Sequence, residues 1–225
     1  MMSRTAKAAF YATFSPLMSI NAAVYKSFRA PRSNNQQTVR VQLGPGQHNY
    51  LQGWINVDAN IFTGKADVWA DLRNPLPFKD NSVDFFYSHH MLEHLPDVAA
   101  HFRELYRCLK PGGSFRIGCP SGDGSIRKFM ENDLAWFSDF PEKRKSIGGR
   151  FENYLMCKGE HLTIITFSFL EEVATDTGFV NFRSCLPVRE TFHPDHVGSP
   201  ILSMEFEDDF DCPKTLIVEG DKPRQ

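Results

Sequence analysis

The residues best placed to do chemistry begin with two glycines and a carboxylate. Gly44 and Gly46 flank Pro45 directly after the alternation Val39, Val41, Leu43, and Asp58 closes a second apolar run, Trp54-Ile55-Asn56-Val57. Alternation over so short a span reads as a buried strand. A glycine at a strand's carboxyl end lets backbone approach a ligand where a Cβ would block it, and a carboxylate ending the next strand can accept from a ribose diol. Strand, glycine turn, strand and terminal carboxylate together point to an adenosine-type ligand. The same pattern also describes a tight turn in any α/β protein, because the glycine fingerprint is incomplete. Gly46 is followed by Gln47-His48-Asn49, so the third glycine of G-x-G-x-x-G is missing and redox use of the nucleotide is disfavoured.

A second group is rich in histidine. His89, His90, His94 and His161 can each take a proton near neutral pH. A histidine satisfied in the core or at a helix cap is the competing reading for each. His90-Met91-Leu92-Glu93-His94 also spells the H-x-x-E-H pattern of inverted zinc peptidases. Two histidines four residues apart on a helix can share one metal. The context argues against it: the pattern follows a strand directly and meets Leu95-Pro96, leaving barely a turn of helix. A zinc-dependent hydrolase therefore stands as the rival, and no metal ligand is expected.

The elements that must position these groups alternate between strand and helix. Ala66–Leu72 reads as a third strand ending at Asp71, and Pro75 and Pro77 enforce a loop before a strand at Val83, Phe85 and Tyr87. Pro96 and Asp97 mark a helix start, with an apolar face at Val98, Phe102, Leu105 and Leu109. Arg107 and Lys110 fall in its predicted last turn, and Pro111-Gly112-Gly113 is the expected stop. Phe115–Cys119 reads as a further strand. This order implies a parallel sheet with ligands at its carboxyl edge.

The chain has 225 residues, 41% of them hydrophobic, enough for one sizeable domain plus an extension. A net charge of -2 disfavours a nucleic-acid partner. Five separated cysteines without metal-finger spacing imply reduced thiols and a cytoplasmic setting. Residues 1–38 carry Arg4, Lys7, Lys26, Arg29 and Arg32 with no Asp or Glu. We read them as a basic helical extension with a polar linker at Pro31–Gln37; a transit peptide and peripheral contact with an anionic membrane are the alternatives. Glu205–Asp211 (EFEDDFD) reads as a solvated acidic face.

At this point the sequence resembles a class I S-adenosyl-L-methionine-dependent methyltransferase. It is specifically similar to the small methyltransferase-type-11 group often found among polysaccharide and cell-envelope genes. The resemblance rests on LGPGQ (Leu43–Gln47), GWINVD (Gly53–Asp58), DLRNPLPFKDNSVDFFYS (Asp71–Ser88), LEHLPD (Leu92–Asp97) and ELYRCLKPGGSFRIGCP (Glu104–Pro120). It implies a Rossmann-like α/β sandwich, with a mostly parallel seven-stranded sheet and an antiparallel final strand, over residues 39–225. It further implies that Gly44 and Gly46 pass close to the methionine part of the cofactor, Asp58 holds the ribose hydroxyls and Asp71 accepts from the adenine amino group. The Leu72 amide would face a ring nitrogen, and Ser88 and His89 would border the sulfonium and the acceptor. Related sequences often place a histidine facing the site where His161 stands, so His89 and His161 are the catalytic candidates.

Two departures stand out. Pro45 replaces the usual Cys or Ser and removes a backbone donor, and only Gln47–Gln52 separate the glycine turn from Gly53, leaving little room for the usual helix. They motivate a second reading, a non-catalytic S-adenosylmethionine-binding partner protein.

Residues 121–165 lie where such enzymes insert a substrate-covering segment, with Phe129, Met130, Leu134, Trp136 and Phe137 forming either a lid or a core face. Phe167–Phe179 resembles the family's penultimate helix, with Ser168 as cap, Glu171 at the third helical position and Gly178 as stop. Val180–Leu186 and Thr215–Glu219 are expected as the last antiparallel pair. No Asn/Asp-Pro-Pro-Tyr/Phe sequence follows the fourth strand, where Ser88-His89-His90-Met91 stands. That disfavours amide or nucleobase nitrogen methylation, and the resemblance implies O-methylation of a small molecule or saccharide as the expected reaction.

Overall fold

A computed structural model describes residues 4–34 and 37–224; Asn35 and Gln36 of the expected linker lie outside the described residues. Seven strands form one sheet in the order β3-β2-β1-β4-β5-β7-β6. Their spans are β1 Arg40–Leu43, β2 Ile55–Asp58, β3 Val68–Trp69, β4 Val83–His89, β5 Leu109–Pro120, β6 Val180–Cys185 and β7 Thr215–Asp221. β1 to β5 run parallel, whereas β7 lies antiparallel between β5 and β6. This is the expected Rossmann-like α/β sheet. Reversal of the strand order at β1 and β4 opens a crevice at their carboxyl ends, where such folds bind ligands.

Helices α1 (Arg4–Phe28), α2 (Val98–Cys108), α3 (Gly122–Met130), α4 (Ile147–Met156), α5 (Phe167–Thr177) and α6 (Ser199–Met204) surround the sheet. α2 starts because Asp97 accepts from the Ala100 amide at 2.7 Å, a cap that contributes about 1 kcal/mol. It stays because Val98, Phe102 and Leu105 enter the main core with Phe86, Phe115 and Phe179. The opposite sheet face is smaller: Phe85 and Tyr87 pack with Leu51, Val197 and Ile201. α1 crosses the β3 edge, where Phe14 meets Trp69 and the Asn21 amide donates to the Trp69 carbonyl at 2.8 Å. All five cysteines are buried and free. Among the described residues no helix is long and apolar enough to cross a membrane.

Several local expectations are corrected. The third strand shrinks to Val68–Trp69, since Asp67 is drawn to the Asn56 amide and Tyr50, and Asp71 turns back onto Arg73. α2 ends at Cys108, so Lys110 sits in β5, where it pairs with Asp84 at 2.8 Å instead of facing a helix end. α5 begins two residues earlier than proposed: Thr166, not Ser168, caps it by accepting from the Phe169 amide, and Gly178 closes it at φ 101°. The acidic stretch is not all solvated. Glu205 is fully buried, reached by Arg116 Nε at 2.6 Å, while Arg116 also holds Glu219 at 2.6 Å. Charge counting along the chain misses this because α6 delivers Glu205 to a guanidinium on the far β5 strand.

Candidate functional site

A cavity of about 730 Å³ opens at the carboxyl ends of β1, β2 and β4. Gly44, Asp58, Asp71 and Leu72 form its floor, His90, Met91 and His94 one wall, and Lys7, Ala8 and Tyr11 of α1 a roof. Glu160 and Leu162 close the side between α4 and α5. The volume falls in the range of small-molecule sites.

The glycine turn is built by its own backbone. No helix stands between β1 and β2 among the described residues, and Gly44 and Gly46 take φ of 71° and 61°. The Gly46 amide donates to Asp58 Oδ2 at 2.9 Å and the Asn60 amide to Oδ1 at 2.7 Å. Each carboxylate oxygen has two acceptor positions, so each keeps one for a diol. Gly46 itself does not line the cavity; it contributes by orienting Asp58. A Cβ on Gly44 would fall 2.6 Å from Met91 Cγ, so this glycine also makes room for the wall residue.

Asp71 is more heavily used. Arg73 donates to Oδ1 through Nε at 2.9 Å and its amide at 3.1 Å, and to Oδ2 through a terminal nitrogen at 2.6 Å; the Ser15 hydroxyl reaches Oδ2 at 2.8 Å. Burial opposes ionisation, but the Arg73 fork and Ser15 outweigh it and hold the carboxyl below its usual value. Its four acceptor positions are filled, so an amino group arriving there must displace Ser15 or Arg73. The Arg73 guanidinium in turn covers the Tyr11 ring at 3.4 Å.

β4 separates the expected acceptor-side residues by its pleat. Phe85, Tyr87 and His89 alternate with Phe86 and Ser88, and neither Ser88 nor His89 reaches the cavity. Ser88 Oγ is buried without a partner. The His89 ring is packed beside Gly118, its Nδ1 is likewise unpartnered, and burial pushes its pKa down to about 3. Such an imidazole stays neutral. His90, at φ 51°, turns the chain off the sheet and into the cavity wall in its place.

His161 does not itself line the cavity, although its neighbours Glu160 and Leu162 do; it lies beside Glu93, the buried centre of a single 3₁₀ turn, Leu92–His94. The Leu162 amide donates to the Glu93 carbonyl at 2.8 Å, which pins the loop to that turn. His90 Nδ1 donates to Glu93 Oε1 at 3.3 Å. Burial opposes ionisation of Glu93, but the His90 hydrogen bond and the neighbouring imidazoles hold its carboxyl low; burial pushes the His161 imidazole down.

The lid expectation is corrected in part. Trp136 and Phe137 are buried with Cys212 in a satellite core and Met130 is exposed, so none of them covers the cavity; only the end of the 121–165 stretch does. Tyr11, Arg73 and Met91 are cavity residues that sequence reasoning missed. Tyr11 and Arg73 carry no local signal, since the docking of α1 alone makes them neighbours.

A sulfonium nucleoside fits these residues: the volume suffices, Asp58 retains an acceptor position on each oxygen, and its charge is left when Arg73 pairs with Asp71 and Lys7 with Glu160. Residues 32–117 match the family described as "Methyltransferase domain". A Caenorhabditis elegans phosphoethanolamine N-methyltransferase 2 is 42% identical over 40 residues, covering 18% of this chain and 9% of that protein. The ubiquinone/menaquinone biosynthesis C-methyltransferase UbiE of Rickettsia typhi is 35% identical over 60 residues, 27% of this chain and 24% of that protein. The matched segments thus span less than a quarter of the length of both relatives. A Thermotoga maritima S-adenosylmethionine-dependent methyltransferase structure superposes with TM-score 0.51 at 18% identity, covering 96% of this chain and 95% of that one. Residues 32–117 thus match a methyltransferase-domain family, and the chain has the Rossmann-like α/β fold of that structure.

Proposed function

We propose that this chain is an S-adenosylmethionine-dependent methyltransferase that methylates a hydroxyl of a small molecule or saccharide. The observation that carries the reading is Asp58, held by two backbone amides at the tip of β2 with a free acceptor position on each oxygen, beside Gly44. Bound there, the cofactor supplies an electrophilic methyl open to in-line displacement. Asp58 takes the ribose hydroxyls. Asp71, after exchanging the Ser15 hydroxyl for a nucleobase amine, takes the adenine end. α1 roofs the cavity through Tyr11 and excludes water from the reacting atoms.

The relatives named above act at nitrogen and at carbon, so the acceptor atom is argued from this chain. A hydroxyl acceptor must lose a proton, and the imidazoles of His90, His94 and His161 gather around Glu93, the first two lining the cavity. His161 keeps the general-base role proposed from the sequence, and His90 takes over the place given to His89.

Calorimetry with S-adenosylmethionine tests the cofactor half. We expect saturable binding at one site, weakened at least tenfold by Asp58→Ala. No heat, or equal affinity in the variant, refutes the reading. Tight binding without methylated product from any hydroxyl acceptor would instead favour the non-catalytic partner.

A further inference from the structure

We propose that Glu93, His94 and His161 form a binding site for one divalent transition-metal cation at the acceptor side of the cavity. One oxygen of Glu93 and one ring nitrogen of each histidine lie within 4.8 Å of one another. His161 Nε2 stands 3.9 Å and His94 Nε2 4.0 Å from the same oxygen, Glu93 Oε1. Ligands at about 2.1 Å around a tetrahedral cation are separated by about 3.4 Å, so the three need only a small contraction to close on one.

Hydrogen bonding fixes what these atoms present. His94 Nδ1 donates to the Glu160 carbonyl at 2.8 Å, and His161 Nδ1 donates to the Leu155 carbonyl at 3.0 Å. A carbonyl can only accept, so in each neutral ring the proton sits on Nδ1 and Nε2 is a bare lone pair. When both rings are neutral, two lone pairs therefore face a carboxylate oxygen whose hydrogen bond comes from His90 Nδ1, at 3.3 Å. A cation resolves this repulsion, and metal-ligating histidines are oriented in this way by their second nitrogen. An independent observation points to the same place: Glu93 is 1% exposed and its Oε2 has no partner.

Two imidazoles and one carboxylate suit zinc, cobalt or iron(II) better than magnesium or calcium. His94 lines the cavity and Glu93 and His161 do not, so the cation would be reached from the His94 side. Cation binding stands apart from the proposed methyl transfer. A bound cation would occupy the His161 lone pair, so the cation, in place of that imidazole as base, would ease deprotonation of the acceptor hydroxyl; this consequence rests on that reading.

The test uses chelator-treated full-length protein without cofactor. Co2+ is titrated in and followed by its visible absorption, with Zn2+ calorimetry in parallel. We expect one cation per chain, with affinity reduced at least tenfold in His161→Ala and in His94→Ala and unchanged in His196→Ala. Glu93 is buried, so Glu93→Gln is scored only if circular dichroism shows it folded; the two histidine variants do not depend on it. Absence of stoichiometric binding, or equal affinity in His161→Ala, overturns the proposal. S-adenosylmethionine calorimetry on the same samples separates the two readings. Cofactor binding without cation binding sinks only the metal site, and the reverse sinks only the cofactor reading.

Discussion

The Ser15 hydroxyl donates to Asp71 Oδ2 at 2.8 Å, linking the first helix to the floor of the cavity across 56 positions of sequence. Together with the Lys7–Glu160 ion pair it ties α1 over the mouth at two points. Ser15→Ala removes one tie, a hydrogen bond to a charged group worth about 2 kcal/mol. Amide exchange across residues 4–28 should accelerate while the sheet stays protected. Unchanged exchange would mean that Phe14 and Met18 packing alone holds the helix.

Gly44→Ala should impair both stability and cofactor binding. The added Cβ meets Met91 Cγ at 2.6 Å and the residue must hold φ 71°. The left-handed conformation alone costs about 1 kcal/mol. Pairing it with Met91→Ala should relieve the clash but not the backbone strain, so urea titration should show partial recovery. Full recovery would place the whole effect on Met91.

Glu205→Ala strips the fully buried Arg116 of a bidentate partner, with Nε and the second nitrogen at 2.6 and 2.7 Å. Breaking a buried pair from one side costs about 3–5 kcal/mol, so a large drop in the urea midpoint is expected. A change as small as that of an exposed ion pair would show that Glu219 alone satisfies the guanidinium.

His101, buried in α2 with an unpartnered Nε2, has its pKa pushed down by burial to about 4. Its unfolded value is near 6.5, so the unfolded chain binds more protons between the two. The stability from keeping this ring neutral is complete above pH 6.5 and erodes as pH falls toward 4, with a slope of up to about 1.4 kcal/mol per pH unit. His101→Leu should flatten that slope in urea titrations between pH 7 and 5. Parallel curves for the two proteins would exclude His101 as its source.

His161→Ala should lower turnover at least about tenfold, within the span typical of a lost proton-transfer group, and leave cofactor affinity within about twofold. His89→Ala, which touches the Gly118 strand and not the cavity, should change stability more than turnover. Turnover lost in both variants would restore the pair assigned from sequence, and turnover kept without His161 would remove it from the mechanism.

The sequence by itself determined the sheet, its parallel character and the β1–β2 floor of the site. Strand alternation, glycine placement and a terminal carboxylate are local properties, and the crevice follows from them through topology. It also supplied Glu93 and His94, but in a pattern whose helical context was lacking; a 3₁₀ turn and a distant loop supply His161 instead. Only the tertiary structure decided which face of β4 His89 occupies, because a one-residue change of phase in the pleat exchanges His89 for His90 at the cavity. It alone placed Tyr11 over Arg73, filled the acceptor positions of Asp71 and buried Glu205 against Arg116. Each of these joins residues far apart in the chain, and periodicity carries no information about which distant surfaces will meet.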